Sequence, residues 1–538
     1  MLRRIVLGSV LAAVIGWAGV GWTCTNILVG RSASADGSVM ITYSCDGEFL
    51  PHLRSEPAAD HEPGEVIEIR GHGGKVRGTI PQVPHTYAVV GLMNEHQLVI
   101  GETTFEGRKE LVNPDGLLHY WTLMRLSLER ARSAREAIAV ITGLVERYGY
   151  SSSGETFSIA DPREAWVLEM VGPGPGGKGA EWVARRVPDG FICAHANRSR
   201  IGEVPMNDPD CLHSANVVSF AEEHGFWDRA SGVPFRFNAA YDPASPQHVR
   251  YSDSRVWSVF RRAAPSLKLR PDFALGRAGA KAYPLWIKPD RKLAVADVMA
   301  LMRDHYEGTE LDMTQGLTAG PFHDPNRWRP IGWKVDGRQY AWERPISTQQ
   351  TGFSFVSQSR SRLPDPVGGV LWYGVDDTYT TCYVPLYCGI DRVPPSFTRG
   401  DIQHFSWDSA WWIFNFVANL ANLKYSYMIQ DIRAVQKELE GTFLAVQPVI
   451  ERTASELFKA DPRLTRRYLT DYSVNHGEAV VRRWKELGEA LLTKYNDGYV
   501  KDDKGRPREV GYPEDWLHRL VRDEGDRHRL PEGEVRQP

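Results

Sequence analysis

The sequence lacks the features that mark several classes of protein. Its net charge is −3 over 538 residues, so no excess of positive charge is available to bind a nucleic-acid backbone. Six cysteines are too few to make a chain of this length a disulfide scaffold. No internal repeat is found. With 42% hydrophobic residues to fill a core, we expect an ordinary globular protein without a nucleic-acid partner.

A metal-ligand motif is also missing. None of the 16 histidines belongs to a His-Glu-x-x-His pair or a comparable ligand spacing, which disfavours a metal hydrolase. We therefore expect neither a bound metal nor another cofactor. His195 is expected to be a packed core histidine rather than a catalytic base.

Long apolar runs are absent except at the start of the chain. Arg3 and Arg4 precede an apolar run over residues 5–22, the order of parts in a secretory signal peptide. We expect residues 1–23 to be a leader and the protein to be secreted or periplasmic, with no stable membrane association once the leader is cleaved. Because the run is long for a signal core, an uncleaved membrane anchor stays open.

The region from Cys24 to about Asn197 shows the alternation of strands, with turn signals such as Asp36-Gly37 between them. The expected strands cover residues 25–29, 38–44, 86–93, 98–104, 156–160, 165–171, 182–187 and 191–196. Apolar residues at helical spacing over residues 117–148 interrupt this series. Strands and helices are therefore expected to share one layered α+β domain.

The second half of the chain changes from strands to helices. Residues 295–306 have a helical pattern, and residues 347–387 return to strands, with 370–373 and 380–385 the clearest. From Trp407 onward the apolar stripes are helical. Beyond about Tyr495 the chain is charged and rich in glycine and proline, so we expect it on the surface or disordered.

Cys24 acquires special chemistry if the leader is removed. It is then the first residue, and its own α-amino group, with an ordinary pKa of about 7.7 to 8.0, lies within reach of the thiol. Nucleophile and base would come from one residue, without a separate histidine. If the leader stays attached, Cys24 is a buried small hydrophobe before a strand.

Two further residues are candidates for such a site. Asp46 ends the strand that follows the Asp36-Gly37 turn, and as the antiparallel partner of the Cys24 strand it would bring its carboxylate beside the amine. Asn197 ends the strand over residues 191–196, where its amide would brace Cys24 or donate to an oxyanion. Each is also a common turn residue.

Several segments together resemble the dipeptidase and secernin family of N-terminal-nucleophile cysteine peptidases. They are, in order, residues 24–30 (CTNILVG), 33–38 (ASADGS), 91–96 (GLMNEH), 186–190 (RVPDG), 194–197 (AHAN), 303–309 (RDHYEGT) and 383–387 (YVPLY). The resemblance covers most of the chain from residue 24 to about 390.

The resemblance implies a four-layer αββα sandwich with the nucleophile at the start of a central strand. Residues 24–400 would form the N-terminal-nucleophile catalytic domain, and residues 401–538 a helical extension and charged tail that pack on it. Cys24 would be the nucleophile, with Asp46 and Asn197 as its catalytic partners. The expected substrates are small peptides, specifically dipeptides, whose peptide bond the enzyme would hydrolyse. Assembly into a homo-oligomer is left open.

Two positions depart from the pattern of the related acylases. Tyr43 stands three residues before Asp46, where the acylases carry an arginine. In residues 101–104 the asparagine that helps to form their oxyanion hole is missing, so Thr103 or Thr104 would have to supply a backbone donor there. The departure at Tyr43 favours peptide substrates over acylase substrates. Tyr43, Thr103 and Thr104 are the candidates for a substrate-binding or oxyanion role.

Two other functions stay open at this point. An amidase or acylase of the same fold would act on non-peptide amides, such as conjugated bile acids or acyl-homoserine lactones. An inert, exported binding or scaffold protein would use Cys24 for a disulfide or a lipid anchor. An exported chain also has room for one or two bridges among the other cysteines, which are Cys45, Cys193, Cys211, Cys382 and Cys388.

Overall fold

Strands in the first half of the chain form largely where the apolar alternation predicts them. The computed structural model describes residues 23–71, 74–243 and 245–530. In chain order the strands are β1 Thr23–Val29, β2 Met40–Asp46, β3 Ser55–Glu56, β4 Ala59–Asp60, β5 Val66–Arg70, β6 Val76–Pro81, β7 His85–Thr86, β8 Val89–Val90, β9 Met93–Asn94, β10 Val99–Phe105, β11 Gly154–Ala160, β12 Ala165–Val171, β13 Glu181–Arg186, β14 Ile192–His195, β15 Cys211–His213, β16 Trp286–Ile287, β17 Gly332–Val335, β18 Arg338–Ala341, β19 Thr351–Gln358, β20 Val370–Val375, β21 Val384–Tyr387, β22 Val500–Lys501 and β23 Pro507–Arg508.

Two predicted strands differ from the structure. The strand expected over residues 380–385 begins only at Val384 and covers Val384–Tyr387. Residues 86–93 were expected to be continuous, but the structure divides them among β7, β8 and β9. Gly91 has φ +58°, and with Leu92 it forms the tight turn between β8 and β9. Glycine adopts positive φ without steric cost, so the chain folds back there instead of continuing as one strand. The strand predicted over residues 165–171 is confirmed residue for residue.

The helices are α1 Tyr120–Arg130, α2 Ala134–Tyr148, α3 Ser219–Glu223, α4 Phe237–Tyr241, α5 Pro246–Ala263, α6 Val295–Leu301, α7 Asp365–Gly368, α8 Ala410–Ala421, α9 Tyr425–Ala460, α10 Pro462–Lys494 and α11 Glu514–Glu524. The single helix expected over residues 117–148 is two helices, because the Ser133 side chain accepts from the Glu136 N–H and caps a new helix start. Helix α5 was not predicted.

Two antiparallel sheets dominate the molecule. The seven-stranded sheet has the order β16-β14-β1-β2-β19-β20-β21, and the eight-stranded sheet β15-β13-β12-β11-β10-β9-β8-β3. The predicted antiparallel pairing of β1 with β2 is confirmed, with Cys24 opposite Cys45. Strand β1 lies inside its sheet, between β14 and β2. The strand that begins with the candidate nucleophile is therefore held on both sides.

The two sheets face each other and carry helices. Strands β1 and β2 contact β10, and β2 also contacts β11. Helices α1 and α2 pack on the eight-stranded sheet, while α5, α6 and α8 to α10 pack on the seven-stranded one. Gly101 of β10 allows the close approach, because a side chain there would lie 3.0 Å from Asn26 and Tyr43. This mixed architecture confirms the α+β class.

The apolar stripes of the C-terminal helices pack as expected. Val435 and Phe443 of α9 and Val480, Trp484 and Leu491 of α10 are buried, whereas α11 has no buried residue. In the described part of the chain, no helix is long and apolar enough to cross a membrane. The expected leader lies outside the described residues, apart from Thr23 at the start of β1.

Candidate active site

Cys24 lies between the two sheets. Side chains two residues apart in a strand share a face, so Cys24 and Asn26 point the same way. The Cys24 Sγ lies 3.5 Å from Glu102 Oε1 of β10, and the Asn26 amide lies 2.9 Å from Ser158 Oγ of β11. Cys24 is fully buried. The nucleophile predicted from sequence is thus in the polar layer where the sheets meet.

Asn197 holds the backbone nitrogen of Cys24. The Cys24 N–H donates to Asn197 Oδ1 at 3.0 Å, and Asn197 Nδ2 donates to the Thr104 carbonyl at 2.8 Å. Asn197 follows β14 with φ +58°, a left-handed conformation that asparagine tolerates better than most residues. Of the two roles expected for Asn197, the contact made here is the brace on Cys24.

Arg255 completes this brace and was missed by the sequence analysis. From α5 it donates to the Cys24 carbonyl at 2.7 Å, to Thr25 Oγ1 at 2.9 Å and to Asn197 Oδ1 at 3.0 Å. Burial, together with Arg344, lowers its pKa to about 10, so it is cationic near neutral pH. The only signal in the sequence was Ser245-Pro246, a cap and first-turn proline that start α5.

Asp46 lies at the end of β2, opposite Thr23 and one position beyond the partner of Cys24. Its carboxylate forms a buried ion pair with Arg344 and accepts from Thr351 Oγ1 at 2.7 Å. Burial raises the pKa of Asp46, and Arg344 opposes that shift. The structure brings Asp46 to the leader side of Cys24, but its carboxylate bonds to Arg344, which sequence reasoning also missed.

The remaining predicted residues surround a glutamate that was not singled out. The Tyr43 hydroxyl donates to Glu102 Oε1, and Thr104 Oγ1 donates to Glu102 Oε2 at 3.4 Å. Thr103 Oγ1 instead lies 2.7 Å from His195 Nδ1. A backbone oxyanion donor at Thr103 or Thr104 stays a prediction.

His195 is a structural residue, as expected. Its two ring nitrogens lie 2.7 Å from Thr103 Oγ1 and from Ser158 Oγ. Burial lowers its pKa to about 3, so the ring is neutral near pH 7. Among the hydrogen bonds of the described residues, none joins a histidine to the Cys24 thiol.

The environment of Cys24 keeps its thiol protonated. Burial raises the pKa of Cys24 well above its ordinary value, and the neighbouring Cys45 and the charge of Glu102 raise it further. A thiolate is the reactive form of cysteine, so attack requires a base that removes the proton during the reaction.

Within the described residues, no group of three or more His, Cys, Asp or Glu side chains is arranged to hold a metal.

A cavity of about 790 Å³ lies two strands away from Cys24, and neither Cys24 nor Glu102 lines it. Its wall includes Phe353 and Phe355 of β19 and Trp121 of α1. Phe353 is opposite Cys45, which is opposite Cys24, and directly opposed side chains share a face. Two strand spacings of about 4.8 Å put the wall roughly 10 Å from the thiol.

The disulfide bridges considered from the sequence do not form. All six cysteines lie in the described part of the chain, and all six are free and buried. Cys24 and Cys45 are direct cross-strand neighbours, yet their thiols remain separate.

Comparison with known proteins gives consistent matches. The family model described as Peptidase family C69 matches residues 23–63 and 68–438. A probable dipeptidase of Salmonella dublin is 28% identical over 403 residues, which cover 70% of this chain and 84% of that protein. Probable dipeptidase B of Streptococcus pyogenes serotype M1 is 22% identical over 91% of this chain and 97% of its own length. A dipeptidase of Bifidobacterium longum is 25% identical, over 71% of this chain and 75% of its own.

Proposed function

The chain belongs to peptidase family C69, a family of cysteine peptidases, and from this membership we propose that it is an exported dipeptidase with Cys24 as nucleophile. The relatives are named dipeptidases, which favours dipeptides over the amides of the acylases. The observation that carries the proposal is the pair of contacts at Cys24, its nitrogen on Asn197 and its thiol beside Glu102.

The base in this mechanism is the α-amino group that Cys24 gains on removal of the leader. Such an amine has an ordinary pKa of about 7.7 to 8.0, so part of it is unprotonated near neutral pH. Asn197 Oδ1 would orient it, as it now orients the Cys24 N–H at 3.0 Å. Glu102 is the other candidate base within reach of the thiol, and the activity of a chain that keeps one residue before Cys24 separates the two.

The reaction proceeds through a thioester. The amine takes the thiol proton as Sγ attacks the scissile carbonyl carbon, and it returns that proton to the leaving amino group as the C–N bond breaks. The second amino acid departs, and the first stays bound to Cys24. Water then gives a proton to the amine and attacks the thioester carbonyl, and the departing thiolate recovers the proton.

Arg255 and Asp46 would have opposite effects on the pKa of the amine. A nearby cation disfavours a protonated amine, and a nearby carboxylate favours it. Arg255 is held against the Cys24 carbonyl at 2.7 Å, and the carboxylate of Asp46 is shared with Arg344. The balance of these charges would hold the amine pKa near neutral pH, and Arg255 is a positioning residue.

Removal of the leader would also make room for the substrate. Thr23 extends β1 and pairs with Asp46 of β2, so the chain occupies the position directly before Cys24. Cleavage after Thr23 frees that position, beside the Asp46–Arg344 ion pair. One event would thus create the base and open the approach to the thiol.

The direct test is substitution of the nucleophile. We expect Cys24→Ser to lose at least about 100-fold in kcat/KM on a dipeptide, because a hydroxyl is much harder to ionise than a thiol. The matched control is Cys193→Ala, which removes another fully buried thiol of the same sheet and should keep activity. Thermal unfolding checks that both variants fold. Wild-type activity in folded Cys24→Ser would refute the proposal.

A further inference from the structure

Two buried carboxyl groups lie directly behind the Cys24 thiol. Glu102 of β10 and Glu155 of β11 are both fully buried. Thr104 Oγ1 bridges them, at 3.4 Å from Glu102 Oε2 and 3.1 Å from Glu155 Oε2. The other oxygen of Glu102 receives the Tyr43 hydroxyl and, at 3.5 Å, the Cys24 thiol. The pair therefore borders the reacting sulfur.

This pair carries negative charge without a cationic partner. The groups that bond to Glu102 are the Tyr43 and Thr104 hydroxyls, the Cys24 thiol and the Glu155 carboxyl, all neutral when Glu155 is protonated. No ion pair within the described residues involves either carboxyl, since Arg344 pairs with Asp46 and Arg255 bonds to Asn197 and backbone oxygens. Buried charges are ordinarily paired.

The ionisation of the pair is consistent with one shared proton. Burial raises the pKa of Glu155 well above its ordinary value, and the neighbouring Glu102 charge adds to that shift. Burial also raises the pKa of Glu102, while hydrogen bonds from Glu155 and Tyr43 oppose it. Two adjacent carboxyls in such a site hold one proton between them. Glu102 accepts from the Tyr43 hydroxyl and lies beside the Cys24 thiol, so it is the member better placed to carry the negative charge.

A second observation indicates that the cluster is built for a ligand. The Tyr120 hydroxyl is buried and has no hydrogen-bond partner within the described residues. The Tyr120 ring centroid lies 5.7 Å from that of Trp121, which lies 6.4 Å from that of Tyr43. After burial itself, the charges of Glu102 and Glu155 are the main causes that raise the pKa of Tyr120. Buried hydroxyls ordinarily have partners. This one is available to a group that enters the cluster.

We propose that the Glu102–Glu155 pair binds the α-ammonium group of the substrate's first residue, so that the enzyme acts on peptides with a free amino terminus. The proposal rests on the proposed function, with Cys24 as nucleophile. In the thioester the substrate nitrogen is three bonds from Sγ, about 3 to 4 Å away. Glu102 Oε1 is itself 3.5 Å from Sγ, so an ammonium on the Glu102 side of the thioester can reach this oxygen.

The chemistry of the cluster selects this group among the parts of a dipeptide. An ammonium supplies both the missing positive charge and donors for carboxylate oxygens. The terminal carboxylate of the second residue would be repelled by Glu102, so it must lie on the other side of the scissile bond. An N-acylated peptide has no positive charge at its amino end and would leave the buried carboxylate unpaired.

Substrate analogues test the proposal on the unmodified enzyme. The probes are alanyl-alanine, its N-acetyl derivative, and propionyl-alanine, which keeps the size of the dipeptide but lacks the amino group. We expect kcat/KM to fall about 10- to 100-fold from alanyl-alanine to each analogue that lacks the ammonium group, the usual effect of losing a hydrogen bond to a charged group. Equal kcat/KM for alanyl-alanine and propionyl-alanine would overturn the proposal.

Variants separate binding from catalysis. Glu102→Gln keeps the shape but removes the charge, and we expect it to lower kcat/KM for alanyl-alanine while propionyl-alanine changes less than about threefold. The matched control is Glu181→Gln, a buried glutamate of β13 whose partners Ser214 and Asn216 are also neutral, which should leave both values unchanged. Near-UV circular dichroism checks the fold of each variant.

Failure of this inference is distinguishable from failure of the proposed function. Equal losses on both substrates in folded Glu102→Gln would make Glu102 a base rather than an ammonium site, and would overturn the inference alone. Hydrolysis of alanyl-alanine that survives Cys24→Ser would instead overturn the proposed function. If Glu102→Gln does not fold, the comparison of analogues on the wild-type enzyme still decides.

Discussion

At the scale of single residues, the thiol does not distinguish Cys24 from the other cysteines. All six are buried, and burial raises the pKa of the Cys193 and Cys388 thiols to about 12 just as it raises that of Cys24. What is particular to Cys24 is its backbone, because its N–H donates to Asn197 Oδ1 and its carbonyl accepts from Arg255. A site that uses the α-amine needs this control of the backbone.

Asp46 provides a test of the charge balance at that amine. We expect Asp46→Asn to lower kcat and to move the rising limb of the kcat/KM–pH profile to lower pH. The sign follows because a carboxylate favours the protonated amine, so its removal lowers the amine pKa and the free base forms at lower pH. The unpaired Arg344 acts in the same direction. A pH profile that does not move would limit Asp46 to a structural role.

The candidate site could be predicted only in part from the sequence. Cys24 and Asn197 follow from their places beside strands and from the family resemblance. Arg255 and Arg344 do not, because they contact residues 231 and 298 positions away along the chain. Glu102 was passed over as part of a strand. The importance of Glu102 depends on its distance to Cys24 Sγ, and the residue pattern of a single strand gives no information about that distance.

At the scale of elements, the residue pattern along the chain predicts those strands and helices whose formation depends on neighbouring residues. The strand pattern located β10 to β14 within a few residues, because runs rich in β-branched and aromatic residues between turn signals depend on neighbouring residues alone. Helix α5 was missed because polar residues such as Asp253 and Arg255 are buried in it and disguise its apolar face. Helix α5, which carries Arg255, thus has an irregular pattern where it supplies a site residue.

Helix α9 is attached to the sheets by a buried ion pair. Arg303 donates to Glu440 at 3.0 Å, and Glu440 also accepts the Tyr383 N–H at 2.9 Å. We expect Glu440→Ala to lower the free energy of unfolding by about 3 to 5 kcal/mol, because it leaves a buried guanidinium unpaired. Urea unfolding measures the change.

A matched control lies on the same helix. Glu456 pairs with Lys459, and both side chains are about 70% exposed. Because exposed ion pairs contribute little to stability, Glu456→Ala should leave the unfolding midpoint unchanged within experimental error. Equal effects from Glu440→Ala and Glu456→Ala would contradict the view that the buried pair anchors α9.

At the scale of the whole molecule, the two sheets meet where the chain would begin after processing. Cys24 is at the start of β1, and the residues that hold it come from β2, β10, α5 and the segment after β14. Every one of these elements must be in place before the site exists. The complete fold would therefore precede catalysis, and removal of the leader would be the step that switches the folded chain on.

The leader gives the strongest prediction at this scale. If the α-amine of Cys24 is the base, a chain that keeps one methionine before Cys24 has a planar amide nitrogen there, which is not basic. We expect that form to fold but to hydrolyse dipeptides at least about 100-fold more slowly, the low end of the usual contribution of a general base. Trimming the methionine with an aminopeptidase should restore the rate.

The comparison controls for folding, because both forms share every core residue and differ only at the terminus. Intact mass after the assay establishes that the untrimmed form stayed untrimmed. If that form is as fast as the trimmed one, the base is a side chain, and Glu102, whose Oε1 lies 3.5 Å from Sγ, is the first to examine. If it is slow and trimming restores it, the proton acceptor is the nitrogen that Asn197 holds, since no other basic group is created by the removal of one residue.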